Sequence, residues 1–487
     1  MYGFRDFKGY IYVDLRCGIS LQSRQSNKHV IDYAPYLATT IKLAGKFKEI
    51  KLMRAKLLAV SIAAAIASMG SANAATDINF WHSMEGALGE RVNGLVDEFN
   101  KSQSDYVVHA VYKGAYGESM NAGIAAFRAG NAPDILQVFE VGTATMMYAK
   151  GAIQPVQEMS EKAGDPINPA DFLGAVASYY SDPNGKLVSM PFNSSTPVFY
   201  YNKDAFKKAG LDPEKPPKTW AEVAEAGKKV RAAGLECGYT TSWPAWIQLE
   251  TFGAWHNTPY ASQDNGFGGL DARLEVTKPL FVRHMTELAK MAKEGTFTYG
   301  GRGDAPNSLF TSGKCAMFTG SSGNRANIIK TGKFEFGTSS LPYYADVKGA
   351  PQNTIIGGAS LWVFAKKTPE VYKGVTKFFK FISSPEKAAQ WHQGTGYVPV
   401  TKAGFELTEK SGFYAKNPGS DVAVKQLDAT TTENSRGIRL GYLPQIRDIE
   451  DGEMEKIFSG SITPEAGLAN MVKRGNELLE RFEKSVK

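Results

Sequence analysis

The sequence predicts an α/β fold with doubly wound sheets. Residues 77–81 have the composition of a strand, apolar residues then recur at helical spacing between Leu88 and Phe99, and residues 106–112 form a second strand-like run. Strand, helix and strand joined by short links indicate a parallel crossover connection. A second α/β pattern begins near residue 187, and the chain length of 487 residues favours more than one domain.

Later elements have recognisable start signals. Residues 198–201 have the composition of a strand. Thr219 and Glu222 are spaced as a capping box, which predicts a helix start and places the intervening Trp220 in the core. The Thr-Pro pair at residues 463–464 predicts the start of the last helix, because proline is favoured at the first helical position.

The composition is that of a globular protein, with 43% hydrophobic and 22% charged residues. The net charge of +7 is concentrated at one end of the chain. Residues 1–75 contain eleven of the 56 basic and four of the 49 acidic residues, so residues 76–487 carry equal numbers of each. The sequence therefore predicts no nucleic-acid partner for the folded part of the chain.

A secretory signal peptide is predicted over residues 53–74. Residues 53–56 form a basic start, residues 57–67 are uncharged, and residues 72–74 spell the cleavage pattern Ala-Asn-Ala. We expect residues 1–52 to come from an upstream start codon and not to belong to the mature protein; the alternative is a genuine cytoplasmic extension. Because no cysteine follows the apolar stretch closely enough to carry a lipid, the sequence predicts a free protein in the periplasm of a Gram-negative bacterium.

Two cysteines remain in the predicted mature chain, Cys237 and Cys315. An oxidising compartment permits a disulfide between them. Their spacing does not decide between a bridge and two buried thiols.

The sequence has no motif for metal binding, nucleotide binding or nucleophilic catalysis. Its six histidines are scattered, and it has no H-x-x-x-H pair and no C-x-x-C pair. It also has no G-x-S-x-G turn and no phosphate-binding glycine loop. We therefore predict no metal, no cofactor and no catalytic residue. Polar loops rich in Gly, Ser, Tyr and Trp suit a site that holds a small polar ligand without transforming it.

Two neighbouring segments carry a family resemblance. FYYNKDAFKKAGLDP at residues 199–213 and PKTW at residues 217–220 resemble the signature of the extracellular solute-binding proteins of ABC importers. Residues 76–487 resemble more specifically the members of this family that bind sn-glycerol-3-phosphate. The matching motifs are FWHSMEG at 80–86, AGIAAFR at 122–128, EVGTAT at 140–145, FNSSTP at 192–197, IIGGAS at 355–360 and LPQIR at 443–447.

The resemblance implies a two-lobed periplasmic-binding-protein fold of type II, in which each lobe is a doubly wound sheet and the ligand cleft lies at the hinge. The implied N-terminal lobe comprises residues 75–193 and 342–396. The implied C-terminal lobe comprises residues 194–341 and 397–487. Each lobe is then discontinuous in sequence.

The resemblance also implies a function. We expect a monomeric, non-enzymatic receptor that binds sn-glycerol-3-phosphate and delivers it to an inner-membrane ABC permease with a cytoplasmic ATPase. One alternative in the same class is a binder of a neutral sugar or of glycerophosphocholine. Another, with weaker support because metal ligands and an activated nucleophile are not apparent, is a periplasmic glycerophosphodiester hydrolase.

The ligand contacts of the family are carried over to nine residues: Tyr116, Glu140, Ser195, Trp243, Trp246, Ser321, Gly358, Tyr397 and Arg447. Arg447 is expected to offer a fork of two nitrogens to the phosphate. If Ser321 opens a helix, free amides there would add donors. Glu140 is expected to accept from glycerol hydroxyls, and the two tryptophans are expected to face the carbon skeleton or a choline cation.

Overall fold

The computed structural model describes Met53 and residues 74–149, 151–428 and 432–487. The predicted upstream extension, residues 1–52, lies outside the described residues, as does the predicted signal peptide apart from Met53 and Ala74. Within the described part of the chain, every helix is too short or too polar to cross a membrane.

The strands form two sheets. Their bounds are β1 Thr76–His82, β2 Tyr106–Tyr112, β3 Ile135–Phe139, β4 Met190–Ser195, β5 Pro197–Asn202, β6 Cys237–Thr241, β7 Cys315–Ser321, β8 Phe336–Ser339 and β9 Gly357–Val363. The first sheet has the order β2-β1-β3-β9-β4, and the second has the order β6-β7-β5-β8.

Helices occupy most of the connections between the strands. Their bounds are α1 Gly86–Ser102, α2 Tyr116–Arg128, α3 Thr143–Met147, α4 Val156–Lys162, α5 Gly174–Tyr179, α6 Lys203–Lys208, α7 Trp220–Ala232, α8 Phe252–Trp255, α9 Pro279–Lys293, α10 Asn307–Thr311, α11 Arg325–Thr331, α12 Pro369–Ile382, α13 Pro385–Thr395, α14 Lys402–Lys410, α15 Phe413–Lys416, α16 Val422–Leu427, α17 Leu443–Phe458 and α18 Pro464–Val486. A π-helical turn at Trp246–Thr251 leads into α8, and a short turn at Ser262–Gly266 has left-handed backbone angles.

The local predictions are confirmed where the sequence signal was strong. Strands β1 and β2 pair in parallel along their full lengths, with α1 between them in sequence, as the crossover prediction requires. Thr219 and Glu222 form the capping box of α7, and Trp220 is buried. Thr463 caps α18 by accepting a hydrogen bond from the amide of Ala466.

Both sheets are mixed, which the parallel pattern near the N-terminus did not predict. β9 runs antiparallel to β3 and β4, and β5 runs antiparallel to β7 and β8. Only Thr196 separates β4 in the first sheet from β5 in the second. Parallel pairing requires a long crossover connection within one sheet, as between β1 and β2. The direct passage from β4 to β5 leaves the first sheet and provides no such crossover. The lobe boundaries given above stay predictions.

Two buried apolar clusters support the two sheets. One contains Phe80 of β1 together with Phe378 of α12. The other contains Tyr239 of β6, Phe281 of α9 and Leu468 of α18. Close-packed clusters of this kind make the strands a rigid support for the loops at their ends.

Cys237 and Cys315 form a disulfide between β6 and β7, where the two residues are direct partners in the strand register. This decides the alternative that the spacing left open. We expect the double variant Cys237→Ser and Cys315→Ser to lose about 4 kcal/mol of unfolding free energy, because the bond restricts a long loop of the unfolded chain.

Urea denaturation monitored by circular dichroism measures this change. Reductant should destabilise the wild-type protein to a similar extent and leave the double variant unchanged. A wild-type protein whose denaturation midpoint is insensitive to reductant, under conditions where free-thiol assay shows reduction, would contradict the expectation.

Candidate ligand-binding site

A cavity of about 600 Å³ opens at the carboxyl ends of strands from both sheets. Residues 83–88 follow β1, Trp243 follows β6, and Ser321 ends β7. Strand ends of this kind are the usual ligand site of α/β sheets. All nine residues carried over from the family line this one cavity: Tyr116, Glu140, Ser195, Trp243, Trp246, Ser321, Gly358, Tyr397 and Arg447. Their roles as ligand contacts stay predictions.

Aromatic side chains form one wall of the cavity. The ring of Tyr116, at the start of α2, stacks on Phe139 with centroids 5.4 Å apart and lies 6.4 Å from the ring of Trp243. The hydroxyl oxygen of Tyr116 accepts a hydrogen bond of 2.9 Å from the side-chain amide of Asn193. Tyr397 is buried and stacks on Trp391. These contacts hold the rings in place before a ligand arrives.

The two tryptophans are held by unusual backbone. Trp243 has a φ of 44°, a conformation that is rare for a bulky residue and is found mostly at functional sites. Its amide donates to the carbonyl oxygen of Gly303 at 2.9 Å. Trp246 begins the π-helical turn and packs over Gly357, where an added Cβ would lie 2.2 Å from the indole ring. Glycine at that position therefore lets the ring reach the cavity wall.

Gly358 also has to be glycine. Its φ is +85°, and an added Cβ would lie 1.9 Å from the backbone oxygen of Asn193 in β4. This close approach allows β9 and β4 to pair where both border the cavity.

Arg447 lies at the first turns of α17 and is 6% exposed. Its Nε and Nη2 donate to the two carboxylate oxygens of Glu250, at 2.5 Å and 2.8 Å. Nη2 also donates to Oε1 of Glu140 at 2.6 Å. Nη1 has no hydrogen-bond partner among the described residues. The expected two-nitrogen fork is thus occupied along one edge by Glu250, and Nη1 is the nitrogen left for a ligand.

Glu250 was missed by the sequence reasoning, although a signal was present. It is the one charged residue of the apolar run 243–256 and is 2% exposed. A lone carboxylate in an apolar segment has to find a cation or become protonated. The cation is Arg447, which lies 197 positions away in sequence.

Burial dominates the electrostatics around Arg447. It raises the pKa of Glu140, and the nearby guanidinium of Arg447 only partly offsets that rise. The pKa of Glu450 is raised well above its usual value by burial and then by the charge of Glu250, and burial raises the pKa of Asp451 to about 7. Burial lowers the pKa of Arg447, but attraction to Glu250 and Glu140 outweighs it and holds that pKa well above its usual value.

Ser321 does open a helix, which was the condition for free amide donors there, but two of the amides already have partners. A 3₁₀ turn at Ser322–Asn324 leads into α11. The Ser322 amide donates to the backbone oxygen of Thr196 at 2.9 Å, and the Gly323 amide donates to Oγ of Ser321 at 3.1 Å. Because Oγ of Ser321 acts as an acceptor there, its own hydroxyl proton is still available to a ligand.

Further polar residues line the cavity beyond the nine that were carried over. They are Ser83, Glu85, Arg302, Asp304, Asn307, Asn324 and Asn327. Asn307 donates to the carboxylate of Asp304 at 2.9 Å. Asp304 is reached by solvent through the cavity but lies deep among protein atoms, and this desolvation raises its pKa.

The sequence profile of the bacterial extracellular solute-binding proteins matches residues 94–419. This chain belongs to that family. One curated relative is the sn-glycerol-3-phosphate-binding periplasmic protein UgpB of Pectobacterium atrosepticum, which is 54% identical to this chain over 431 residues. The match covers 88% of this chain and 97% of the relative. UgpB of Escherichia coli K12 is also 54% identical, with 88% and 98% covered.

Solved structures agree on the fold. UgpB of Mycobacterium tuberculosis, in complex with glycerophosphocholine, superimposes with a TM-score of 0.72 at 25% identity, covering 84% of this chain and 99% of that one. Maltose-bound MalE3 of T. maritima gives a TM-score of 0.68 at 17% identity, with 84% and 100% covered, a likeness of fold alone. The predicted α/β fold of the type II binding proteins is therefore confirmed for this solute-binding protein.

Proposed function

We propose that this protein is a periplasmic receptor of an ABC importer that binds sn-glycerol-3-phosphate and delivers it to an inner-membrane permease with a cytoplasmic ATPase. The observation that carries the proposal is the convergence on one cavity of all nine residues that match the family's ligand contacts. The proposal includes export through the signal peptide at residues 53–74. The relatives at 54% identity, named as sn-glycerol-3-phosphate-binding periplasmic proteins, support it.

The cavity offers groups for each part of this ligand. Nη1 of Arg447 and the hydroxyls of Ser195 and Ser321 are donors for phosphate oxygens. Oε2 of Glu140, the oxygen that Arg447 does not engage, is an acceptor for a glycerol hydroxyl. Trp243 supplies an apolar face for the carbon skeleton.

Ligand capture is proposed to work by closure of the cleft. Glu140 and Gly358 belong to the side of the first sheet, whereas Trp243 follows a strand of the second sheet and Ser321 ends another. A ligand that touches both groups binds the closed form better than the open form and shifts the population toward it. The closed form is then the one presented to the permease.

Isothermal titration of the purified protein tests the proposal with sn-glycerol-3-phosphate, glycerophosphocholine and maltose in parallel. We expect saturable binding of sn-glycerol-3-phosphate and no heat from maltose. Binding of maltose alone would replace the proposal with a sugar receptor. Absence of binding heat with all three ligands would show that the proposed ligand class is wrong.

Glycerophosphocholine is kept as a second candidate ligand because the M. tuberculosis structure contains it. If glycerophosphocholine binds and sn-glycerol-3-phosphate does not, the proposed ligand becomes a glycerophosphodiester. The role proposed here is binding without catalysis, so prolonged incubation with glycerophosphocholine should release no choline. Release of choline at a rate proportional to protein concentration, absent in an Arg447→Ala sample prepared in parallel, would favour the hydrolase instead.

A further inference from the structure

The charge balance at the base of the cavity is unusual for a phosphate site. An arginine that binds phosphate frequently does so through two parallel N–H···O bonds, and its positive charge complements the anion. Here the buried guanidinium of Arg447 is already shared by two carboxylates, Glu250 and Glu140, and its Nε and Nη2 edge faces Glu250. When Glu250 and Glu140 are both ionised, two carboxylates against one guanidinium leave an excess of one negative charge.

The groups that face this triad from other elements do not correct the balance. On α17, Glu450 receives a hydrogen bond from the hydroxyl of Tyr260, Asp451 lies half-buried, and Asp448 is exposed. From α5 the hydroxyl of Tyr179 donates to the backbone oxygen of Glu140, which adds no charge.

The second guanidinium that lines the cavity is also neutralised. Arg302 lies two positions before Asp304, and its Nε donates to Glu455 at 2.7 Å. Within the described residues that line this cavity, no lysine is present and every arginine has a carboxylate partner.

We propose that Glu250 is a specificity-determining residue that makes the cavity prefer a phosphate group with one negative charge over a phosphate group with two. The inference rests on the proposed function and deepens it. Glu250 acts in two ways: it adds the second carboxylate to Arg447, and it occupies the edge with which an arginine grips two phosphate oxygens. Glu250 lies behind Arg447 and does not line the cavity, so it acts on a ligand at Arg447 through its charge, in a site where water screens charge weakly.

The preference has a pH signature. The second ionisation of a phosphomonoester has a pKa of about 6, so sn-glycerol-3-phosphate is largely a dianion above that pH and largely a monoanion below it. A phosphodiester keeps one charge throughout this range. The affinity for the monoester should consequently rise as the pH falls, while the affinity for a diester of glycerol should change much less.

Titration calorimetry on the wild-type protein tests this with sn-glycerol-3-phosphate and sn-glycero-3-phosphoglycerol. From about pH 8 down to about pH 6, we expect the ratio of monoester to diester affinity to rise by about tenfold, as one proton replaces one phosphate charge. Burial raises the pKa of Asp451 to about 7, so Asp451 titrates in the same range and loss of its charge would change the ratio in the same direction. The Glu250→Gln variant below keeps Asp451 and therefore separates the contribution of Glu250 from that of Asp451. A ratio that is constant over this range would overturn the inference.

Glu250→Gln assigns the effect to this residue. The amide keeps the size of the side chain and removes its charge, so the affinity ratio at about pH 8 should move toward the monoester by about tenfold and its pH dependence should flatten. The matched control is Glu453→Gln, which changes a buried carboxylate of α17 that pairs with Lys456 and Arg474, whereas Glu250 pairs with the cavity residue Arg447. It should keep the wild-type ratio.

The outcomes separate the two proposals. Failure of the wild-type protein to bind either ligand would overturn the proposed function. Binding of both ligands, with an unchanged ratio in Glu250→Gln, would overturn the role of Glu250 alone. If thermal melting shows that Glu250→Gln does not fold, the wild-type pH series still decides whether the cavity prefers a singly charged phosphate.

Discussion

Arg447→Ala is expected to abolish detectable binding of sn-glycerol-3-phosphate and to lower the unfolding free energy by about 3–5 kcal/mol. The loss of stability follows because alanine leaves Glu140 and Glu250 buried without their cation. The loss of binding follows because Arg302, the other cationic side chain among the described residues that line the cavity, is paired with Glu455. Urea denaturation measures the first effect and titration calorimetry the second.

A double variant separates binding from stability in that prediction. Adding Glu250→Gln to Arg447→Ala removes one of the two orphaned charges, so it should recover part of the lost stability and none of the lost binding. Arg474→Ala is the matched control, because Arg474 is half-exposed and pairs with Glu453 away from the cavity; its cost should stay below about 1 kcal/mol. Wild-type affinity in Arg447→Ala would remove this residue from the proposed site.

Gly358→Ala is expected to lower the unfolding free energy by about 3 kcal/mol and to weaken ligand binding. Alanine is strained at a φ of +85°, a conformation that L-residues avoid, and its Cβ would lie 1.9 Å from the backbone oxygen of Asn193. Relief requires β9 and β4 to separate at the edge of the cavity. Urea denaturation and titration calorimetry on the same preparation measure the two effects.

Gly94→Ala is the control for that substitution. Gly94 lies inside α1, its backbone is helical, and an added Cβ would meet no atom within 4 Å. The same chemical change should therefore raise stability there by about 0.5–1 kcal/mol, since alanine favours a helix interior. If Gly358→Ala were as harmless as Gly94→Ala, the close approach of β9 to β4 would not be a constraint on the fold.

Much of the local structure was predictable from the sequence. The parallel pair of β1 and β2 follows from two apolar runs and the helical spacing between them, and the capping box at Thr219 marks the start of α7. These signals depend on hydrogen bonds and periodicities that span a few residues. The nine cavity residues came from the family resemblance and not from any local pattern.

Other features depend on contacts between distant parts of the chain. The antiparallel insertion of β9 between β3 and β4 joins segments that are far apart in sequence, and no periodicity records it. The bond between Cys237 and Cys315 is of the same kind, because only the register of β6 on β7 brings the two residues opposite each other.

The sequence by itself determined the class of fold, the start signals of several helices and, through its motifs, the family. Only the tertiary structure decided how the charges of the cavity are paired. Glu250 lies on a π-helical turn and Arg447 on α17, and their packing leaves one guanidinium nitrogen for a ligand. An ion pair depends on distance and direction to within about an ångström, and residue types along a chain do not specify either.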